Sequence, residues 1–346
     1  MSAKSLCPDE AAKKSKEKIK SMIGRNLLSL RGYTPDQIKD LLWSALDMKK
    51  VIKSGGKHSE SLGKQLRGRS FAGIFQKKST RTRFSFEAGA HHLGSHLIFC
   101  NKEDIHLGVN ETVKDTALVM SRLCDGITAR VYEHSLLEDM AKYSSVPIIN
   151  ALSDTHHPMQ ALADLMVIYE HFGRLQGLNM AWVGDGNNVL HSLMIVAAKL
   201  KMNLSIATPK GYEPSEEIVT LTRELSNQGC SHIFLTNSPK DAVKNAHIVV
   251  TDTWISMGQE GEKEKKLKEF EGYQVTKELM KEADPEWVFL HCLPRKQEEV
   301  DDEVFYDSER SLVFDEAENR KWTTMAVLAN LTTGYTPRLI KKRPNF

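Results

Sequence analysis

Phe71-Ala72-Gly73-Ile74-Phe75, the loop Gln76-Lys77-Lys78 and then Ser79-Thr80-Arg81-Thr82-Arg83, running into the helix-like segment 84–93, is the stretch that decides the fold. A short apolar run bounded by polar loops reads as a strand buried on both faces, and the segment after it has helical spacing, so the unit is strand–loop–helix. The joint between strand and helix carries the densest chemical signal in the chain. A helix N-terminus offers unpaired N–H groups and the positive end of its dipole, hydroxyls add donors, and guanidinium grips phosphate in a bidentate fork. Ser79, Thr80, Arg81 and Thr82 are therefore a candidate oxyanion cradle. A plain Ser/Thr cap with solvated arginines is the alternative; two hydroxyl–Arg alternations in five residues favour the cradle.

Outward from this unit the same alternation continues. Apolar runs at 97–99, 127–131 and 146–149 read as strands with helices between them, and a second series lies at 180–183, 204–207, 233–235, 248–251 and 288–290. Helix-length segments such as 189–200 and 214–227 separate these. The pattern predicts an α/β protein of two tandem parallel-sheet αβα domains with the active site in the cleft between them, and a chain of 346 residues suits two domains. The expected division is a flexible tail over 1–26, a first domain over 27–158 and a second over 159–324. A hinge is expected in 159–172. A last helix, from about Glu316, is expected to lead back so that its end, about 325–346, packs on the first domain. The first helix opens at Thr34-Pro35-Asp36-Gln37, a capping box with Pro in the first turn, and ends at Gly55-Gly56.

Composition excludes several classes of partner. Lys plus Arg is 47 against 45 for Asp plus Glu, with no long like-charge run beyond the tail, which gives no case for nucleic acid. No apolar run approaches the roughly 20 residues that span a bilayer, so no membrane partner is expected. The five cysteines, Cys7, Cys100, Cys124, Cys230 and Cys292, are odd in number and widely spaced, which reads as reduced thiols. The first 25 residues are Lys-rich but carry Asp9, Glu10 and Glu17 and no Arg before Arg25, a poor match to a transit peptide. They read as a solvated tail.

Other candidates share one topological position, the carboxyl ends of strands, where open α/β sheets bind ligands. Arg130 ends the strand 127–131, and His157-Pro158-Met159-Gln160 comes after the strand near Asn150. Gly184-Asp185-Gly186-Asn187-Asn188-Val189 resembles a dinucleotide fingerprint, but Val189 stands in place of the third Gly and no acidic residue ends the next strand, which disfavours NAD. Asn188 reads equally as an amide that binds a polar zwitterion or as half of a turn-forming pair. Asp252, directly after 248–251, opens Asp-Thr-Trp-Ile-Ser-Met-Gly, a carboxylate and a hydroxyl-bearing glycine loop suited to an ammonium and a carboxylate on one substrate. His291-Cys292-Leu293-Pro294-Arg295 succeeds 288–290 in the same way; Cys292 is either a nucleophile or a buried inert thiol. The adjacent pairs His91-His92 and His156-His157 diverge and H-E-x-x-H is absent, so no metal site is expected.

Ser-Thr-Arg-Thr-Arg, His-Pro-x-Gln, Asp-x-x-x-Ser-Met-Gly and His-Cys-Leu-Pro-Arg occur in the order and spacing of the aspartate/ornithine carbamoyltransferase family, which the chain resembles from about Leu27 to Pro337. Cys292 with 252–258 is similar to the ornithine branch, and 104–110, 251–259 and 316–322 resemble the animal mitochondrial enzymes. The resemblance implies transfer of a carbamoyl group from carbamoyl phosphate to L-ornithine, giving citrulline and phosphate in arginine biosynthesis or the urea cycle, without cofactor or metal. It implies that 27–158 binds carbamoyl phosphate and 159–324 ornithine. Ser79, Thr80, Arg81 and Thr82 would hold the phosphate; Arg130, His157, Gln160 and Thr82 the carbamoyl group; Arg320 the same substrate. Asn188, Asp252, Ser256 and Met257 would hold the α-groups of ornithine, while Cys292 and the Leu293 carbonyl receive its δ-amine. Arg130, His157 and Cys292 are the expected catalytic residues, Cys292 placing the amine instead of attacking. His106 resembles a residue that reaches a neighbouring subunit's site, which implies a homotrimer with shared active sites. The mitochondrial matrix is the implied location; the tail leaves the cytoplasm as the alternative.

Overall fold

A computed structural model describes residues 22–105, 111–229, 231–255 and 260–346. His106, Ser256 and Met257 lie outside the described residues, as do Cys7 and Cys230. The chain begins with α1 (Pro35–Ser54) and α2 (Gly56–Leu62), then alternates β1 (Ser70–Phe75), α3 (Thr80–His92), β2 (His96–Asn101), α4 (Val113–Leu123), β3 (Gly126–Arg130), α5 (His134–Tyr143) and β4 (Ile148–Leu152). After α6 (Pro158–Phe172) come β5 (Asn179–Val183), α7 (Asn188–Lys199), β6 (Asn203–Ala207), α8 (Glu216–Gly229), β7 (Ile233–Thr236), α9 (Pro239–Val243), β8 (Ile248–Thr251), α10 (Lys263–Glu269), β9 (Val288–His291), α11 (Asp302–Phe305) and α12 (Val313–Thr332). The strands form two parallel sheets, ordered β2-β1-β3-β4 and β7-β6-β5-β8-β9.

Strand order fixes where a ligand can sit. In the first sheet the chain runs from β1 outward to β2 and then crosses to β3 on the other side of β1; in the second it runs β5, β6, β7 and crosses back to β8 beside β5. Each reversal leaves a crevice beyond the strand ends, because the flanking connections part to opposite faces of the sheet. The crevices lie after Phe75 and Arg130 in one sheet and after Val183 and Thr251 in the other.

Two helices join the sheets. Every residue of α6 from Pro158 to Ile168 is buried, as is every residue of α12 from Trp322 to Leu331, so over these turns both are covered all round instead of carrying one apolar stripe. α12 packs on α6, α3 and α1, and a single hydrophobic core includes Leu42, Phe86, Leu162, Trp182, Leu193 and Leu328 from both sheet units. The Thr34–Gln37 capping box and Gly55, at φ 65, bound α1 as its sequence predicts.

Three expected boundaries move. The strand expected at 146–149 lies at Ile148–Leu152, the last helix begins at Val313, and the residues after Thr332, expected to continue the helix, form none. That final segment is held on α1 instead. Asp47, fully buried, accepts from Tyr335 Oη at 2.6 Å and from the backbone N–H groups of Arg338, Leu339 and Ile340 at 2.6, 2.7 and 2.5 Å. Trp43 Nε1 donates to the Ile340 carbonyl at 2.7 Å. No helix among the described residues is long and apolar enough to cross a membrane.

Candidate active site

β1 delivers the cradle. Ser79 is the N-cap of α3, its Oγ accepting the Thr82 N–H at 3.2 Å, so the helix opens at Thr80 and the hydroxyl–Arg residues occupy its first turn. The expected helix at 84–93 started too late. That earlier start strengthens the anion site, because the free N–H groups belong to these residues. Arg83 turns away to pair with Glu87 at 3.1 Å over the Phe99 ring, while Arg81 faces inward.

A cavity of about 460 Å³ opens between the two crevices. Ser79, Thr80, Arg81, Thr82, Arg130, His157 and Arg320 line one wall; Asn188, Asp252, Cys292 and Leu293 line the other. Eleven of the residues singled out from sequence thus meet in one place. Gln160 does not line the cavity; it lies behind the wall, 1% exposed. Lys77, Lys78, Thr253 and Lys296 also line the cavity, and sequence reasoning passed over them.

The first wall is cationic, with Thr82, Arg130, His157 and Arg320 buried in it. Burial, with Arg320 beside it, pulls the Arg130 guanidinium down to about 10, and its Nε meets no acceptor. Arg320 is likewise pulled down to about 10, mainly by burial. Guanidiniums gathered out of water, with no acidic partner in contact among the described residues, favour a multiply charged anion. His157 donates its backbone N–H to Ser192 Oγ at 2.8 Å, and burial followed by Arg320, Arg130 and Arg81 holds its imidazole well below the usual range. It is a neutral ring, able to donate from one nitrogen without adding charge.

The second wall is arranged around a carboxylate. Asp252, 5% exposed at the end of β8, accepts from Cys292 Sγ at 2.9 Å on one oxygen and from Asn187 Nδ2 at 2.8 Å on the other. Asn187, not Asn188, is the amide on Asp252; it also caps α7 by accepting from Val189 and Leu190 N–H at 3.0 and 3.2 Å. An Asn placed just before an apolar helical run is the signal that marks it. Asn188 instead donates to the Ser153 carbonyl at 2.5 Å, joining the second sheet to the loop that carries His157. Gly186 lets this turn form: a Cβ there would meet backbone atoms of Tyr212, Glu213 and Pro214 at 2.4–2.5 Å.

Beyond β9 the chain is set by His291, whose Nδ1 accepts the Leu293 N–H at 2.9 Å and whose Nε2 therefore carries the proton that reaches Glu299 at 3.1 Å. Burial, then Asp252, pushes the Cys292 thiol well above its ordinary value. A protonated thiol that already donates to Asp252 is a poor nucleophile. Iodoacetamide at pH 8 is therefore expected to alkylate Cys292 in the native protein at least about 10-fold more slowly than an unhindered cysteine of pKa about 8.5. Peptide mapping by mass spectrometry reads this, and rapid labelling of Cys292 would overturn the protonated state.

Under the floor, Gln160 donates through Nε2 to Asp164 Oδ1 at 2.8 Å and Glu316 Oε1 at 2.6 Å, and accepts from Arg320 at 2.5 Å. Arg320 also reaches Thr82 Oγ1 at 3.3 Å. Among the described residues, no group of three His, Cys, Asp or Glu side chains could hold a metal ion.

The family model for the carbamoyl-P binding domain of aspartate/ornithine carbamoyltransferase matches residues 25–170, and that for its Asp/Orn binding domain matches 176–331. A mitochondrial ornithine carbamoyltransferase of Aquarana catesbeiana is 53% identical over 323 residues, 93% of this chain and 90% of its own. The mitochondrial ornithine transcarbamylase of Gallus gallus is 54% identical over 316 residues, 91% of this chain and 88% of its own. In structure, the ornithine carbamoyltransferase of Pyrococcus furiosus superposes with a TM-score of 0.86 at 46% identity, covering 91% of this chain and 99% of that one.

Proposed function

The chain belongs to the aspartate/ornithine carbamoyltransferase family, and from that premise we propose that it transfers the carbamoyl group of carbamoyl phosphate to the δ-amine of L-ornithine, releasing L-citrulline and phosphate. The observation that carries the choice of acceptor is the Asp252–Cys292 pair facing the guanidinium wall. A second carboxylate on the acceptor, as in aspartate, would be driven against Asp252; an amine is attracted to it. Citrulline formation from carbamoyl phosphate and L-ornithine is the test, and turnover with L-aspartate alone would sink the assignment.

The phosphate dianion docks on the first turn of α3 with Arg81 and Arg320, and the carbamoyl oxygen takes hydrogen bonds from Arg130 and neutral His157. Ornithine then enters between the walls, its α-groups held by Asn188, Asp252 and the 256–257 stretch, its δ-amine by Cys292 and the Leu293 carbonyl. An amine of this kind has a pKa of about 10.4 in water, and a partly buried cavity rich in guanidinium favours its uncharged form. The amine nitrogen bonds to the carbamoyl carbon, the carbon–oxygen bond to phosphate breaks, and the departing phosphate takes the proton that the nitrogen sheds. Gln160 acts from behind the wall, by fixing Arg320.

Assembly as a homotrimer is part of the proposal. Phe84, Ile98 and Leu123, 67%, 46% and 74% exposed, are apolar side chains left uncovered on α3, on the edge strand β2 and on α4, surface that a second copy would cover. Sedimentation equilibrium is expected to give three chains per particle, and Leu123→Asp to give monomers at least about 10-fold less active if His106 completes a neighbour's site. Fully active monomers would exclude shared sites. Similarity to the mitochondrial relatives supports the matrix and a role in arginine or urea formation; recovery of the native protein in the cytosolic fraction of its cells and not in their mitochondria would place it in the cytoplasm.

A further inference from the structure

Beneath the cavity lies a carboxyl pair that the reaction as described does not use. Asp164 and Glu316, 1% and 2% exposed, receive the two hydrogens of one amide, Gln160 Nε2, at 2.8 and 2.6 Å. The amide oxygen of Gln160 accepts from Arg320, which reaches on to Thr82 in the cradle. The second oxygen of Glu316 accepts the His291 backbone N–H at 2.9 Å, one residue before Cys292. Glu316 is thus tied on one side to the arm carrying Arg320 and on the other to the strand end carrying Cys292. Burial pushes both carboxyls up, Asp164 to about 7, and the nearby Asp164 carboxylate raises Glu316 further; a proton held between the two would give Asp164 Oδ2, which meets no other donor, a partner.

We infer that Glu316 is a positioning residue for carbamoyl transfer, holding Arg320, through Gln160, and Cys292, through the His291 N–H, at a fixed separation so that carbamoyl carbon and amine meet at reacting distance. The inference rests on the transfer reading above. Its chemical requirement is two acceptor oxygens on one short, rigid group. Gln at 316 has only one, so whichever way its amide lies, N–H faces N–H at Gln160 or at His291. Asn at 164 escapes this conflict, because its oxygen still accepts from Gln160 and its NH2 supplies the donor that the shared proton supplied.

Steady-state kinetics of Glu316→Gln and Asp164→Asn, with both substrates varied, are read beside thermal unfolding and calorimetric affinity for inorganic phosphate. For Glu316→Gln we expect kcat to fall about 30- to 100-fold, as misplacement on the order of 1 Å does, with ornithine KM and phosphate Kd each raised at least about five-fold and Tm within a few degrees of the wild type. Asp164→Asn is expected to stay within about three-fold on every measure. The inference is overturned if Glu316→Gln keeps kcat within three-fold, if only one substrate is affected, or if Asp164→Asn matches it, which would reduce the effect to a disturbed buried pair. Should Glu316→Gln not fold, Glu316→Asp, which keeps the charge but is too short to span both donors, is judged by the same criteria. A wild-type protein that makes no citrulline would overturn the reaction assignment instead, leaving the phosphate affinities of the variants to decide this inference.

Discussion

Arg130→Met is expected to lower kcat for citrulline formation by about 10³-fold while leaving Tm unchanged or slightly raised. Arg130 ends β3 at the crevice, 6% exposed, with its Nε unpaired and Arg320 as the largest charged influence upon it. Its guanidinium costs folding energy, because it is a desolvated cation beside other cations; that cost is offset only when an anion enters. Removing one preorganised donor to a developing oxyanion typically loses about 10²- to 10³-fold in kcat, and the lost charge opposite the phosphate adds to this. Stability and activity should therefore move in opposite directions. A variant within ten-fold of wild-type kcat, or one that loses activity and Tm together, would show that Arg130 is a structural residue.

The second large effect is expected on the acceptor side. Asp252→Asn keeps the shape of the side chain but leaves one acceptor where two donors, Cys292 and Asn187, now meet a carboxylate. It also removes the negative charge that faces the ornithine ammonium. Hydrogen bonds to charged groups contribute about 1.5–3 kcal/mol, so ornithine KM should rise by roughly 10- to 100-fold. The phosphate cradle stands on the other sheet, and phosphate affinity measured by calorimetry should stay within about three-fold. An unchanged ornithine KM would remove Asp252 from the acceptor site.

How much of this could be read in the sequence depended on how local the cause was. Parallel strands buried on both faces leave apolar runs, so 71–75 and 248–251 were visible almost residue for residue against Ser70–Phe75 and Ile248–Thr251. β4 was misplaced because its interior holds Asn150, a polar residue fully buried, whose side-chain NH2 donates to the Leu28 carbonyl at 2.8 Å, a contact from a distant segment. The start of α12 was invisible because its N-cap, Leu312, makes no side-chain capping hydrogen bond. The final segment was read as helix because the group that holds it, Asp47, lies nearly 300 residues earlier. The site obeys the same rule. The cradle is a strand–loop–helix unit complete within a few residues and was legible, whereas the hydrogen bonds that link Gln160, itself singled out from sequence, with Asp164, Glu316 and His291 join three segments. Asp164, a carboxylate in an otherwise apolar helix four residues after Gln160, carried a signal that went unread.

The two buried helices bear on how such a protein can change over generations. α12 comes after the second sheet in sequence but packs on α1, α3 and α6, and its opening turns supply Glu316 and Arg320. An exchange of 176–331 between two relatives would carry α12 away from the surfaces shaped to receive it. The halves are thus heritable only as a matched pair, and a new acceptor is expected to be gained by small edits to the turns after β8 and β9, outside both helices.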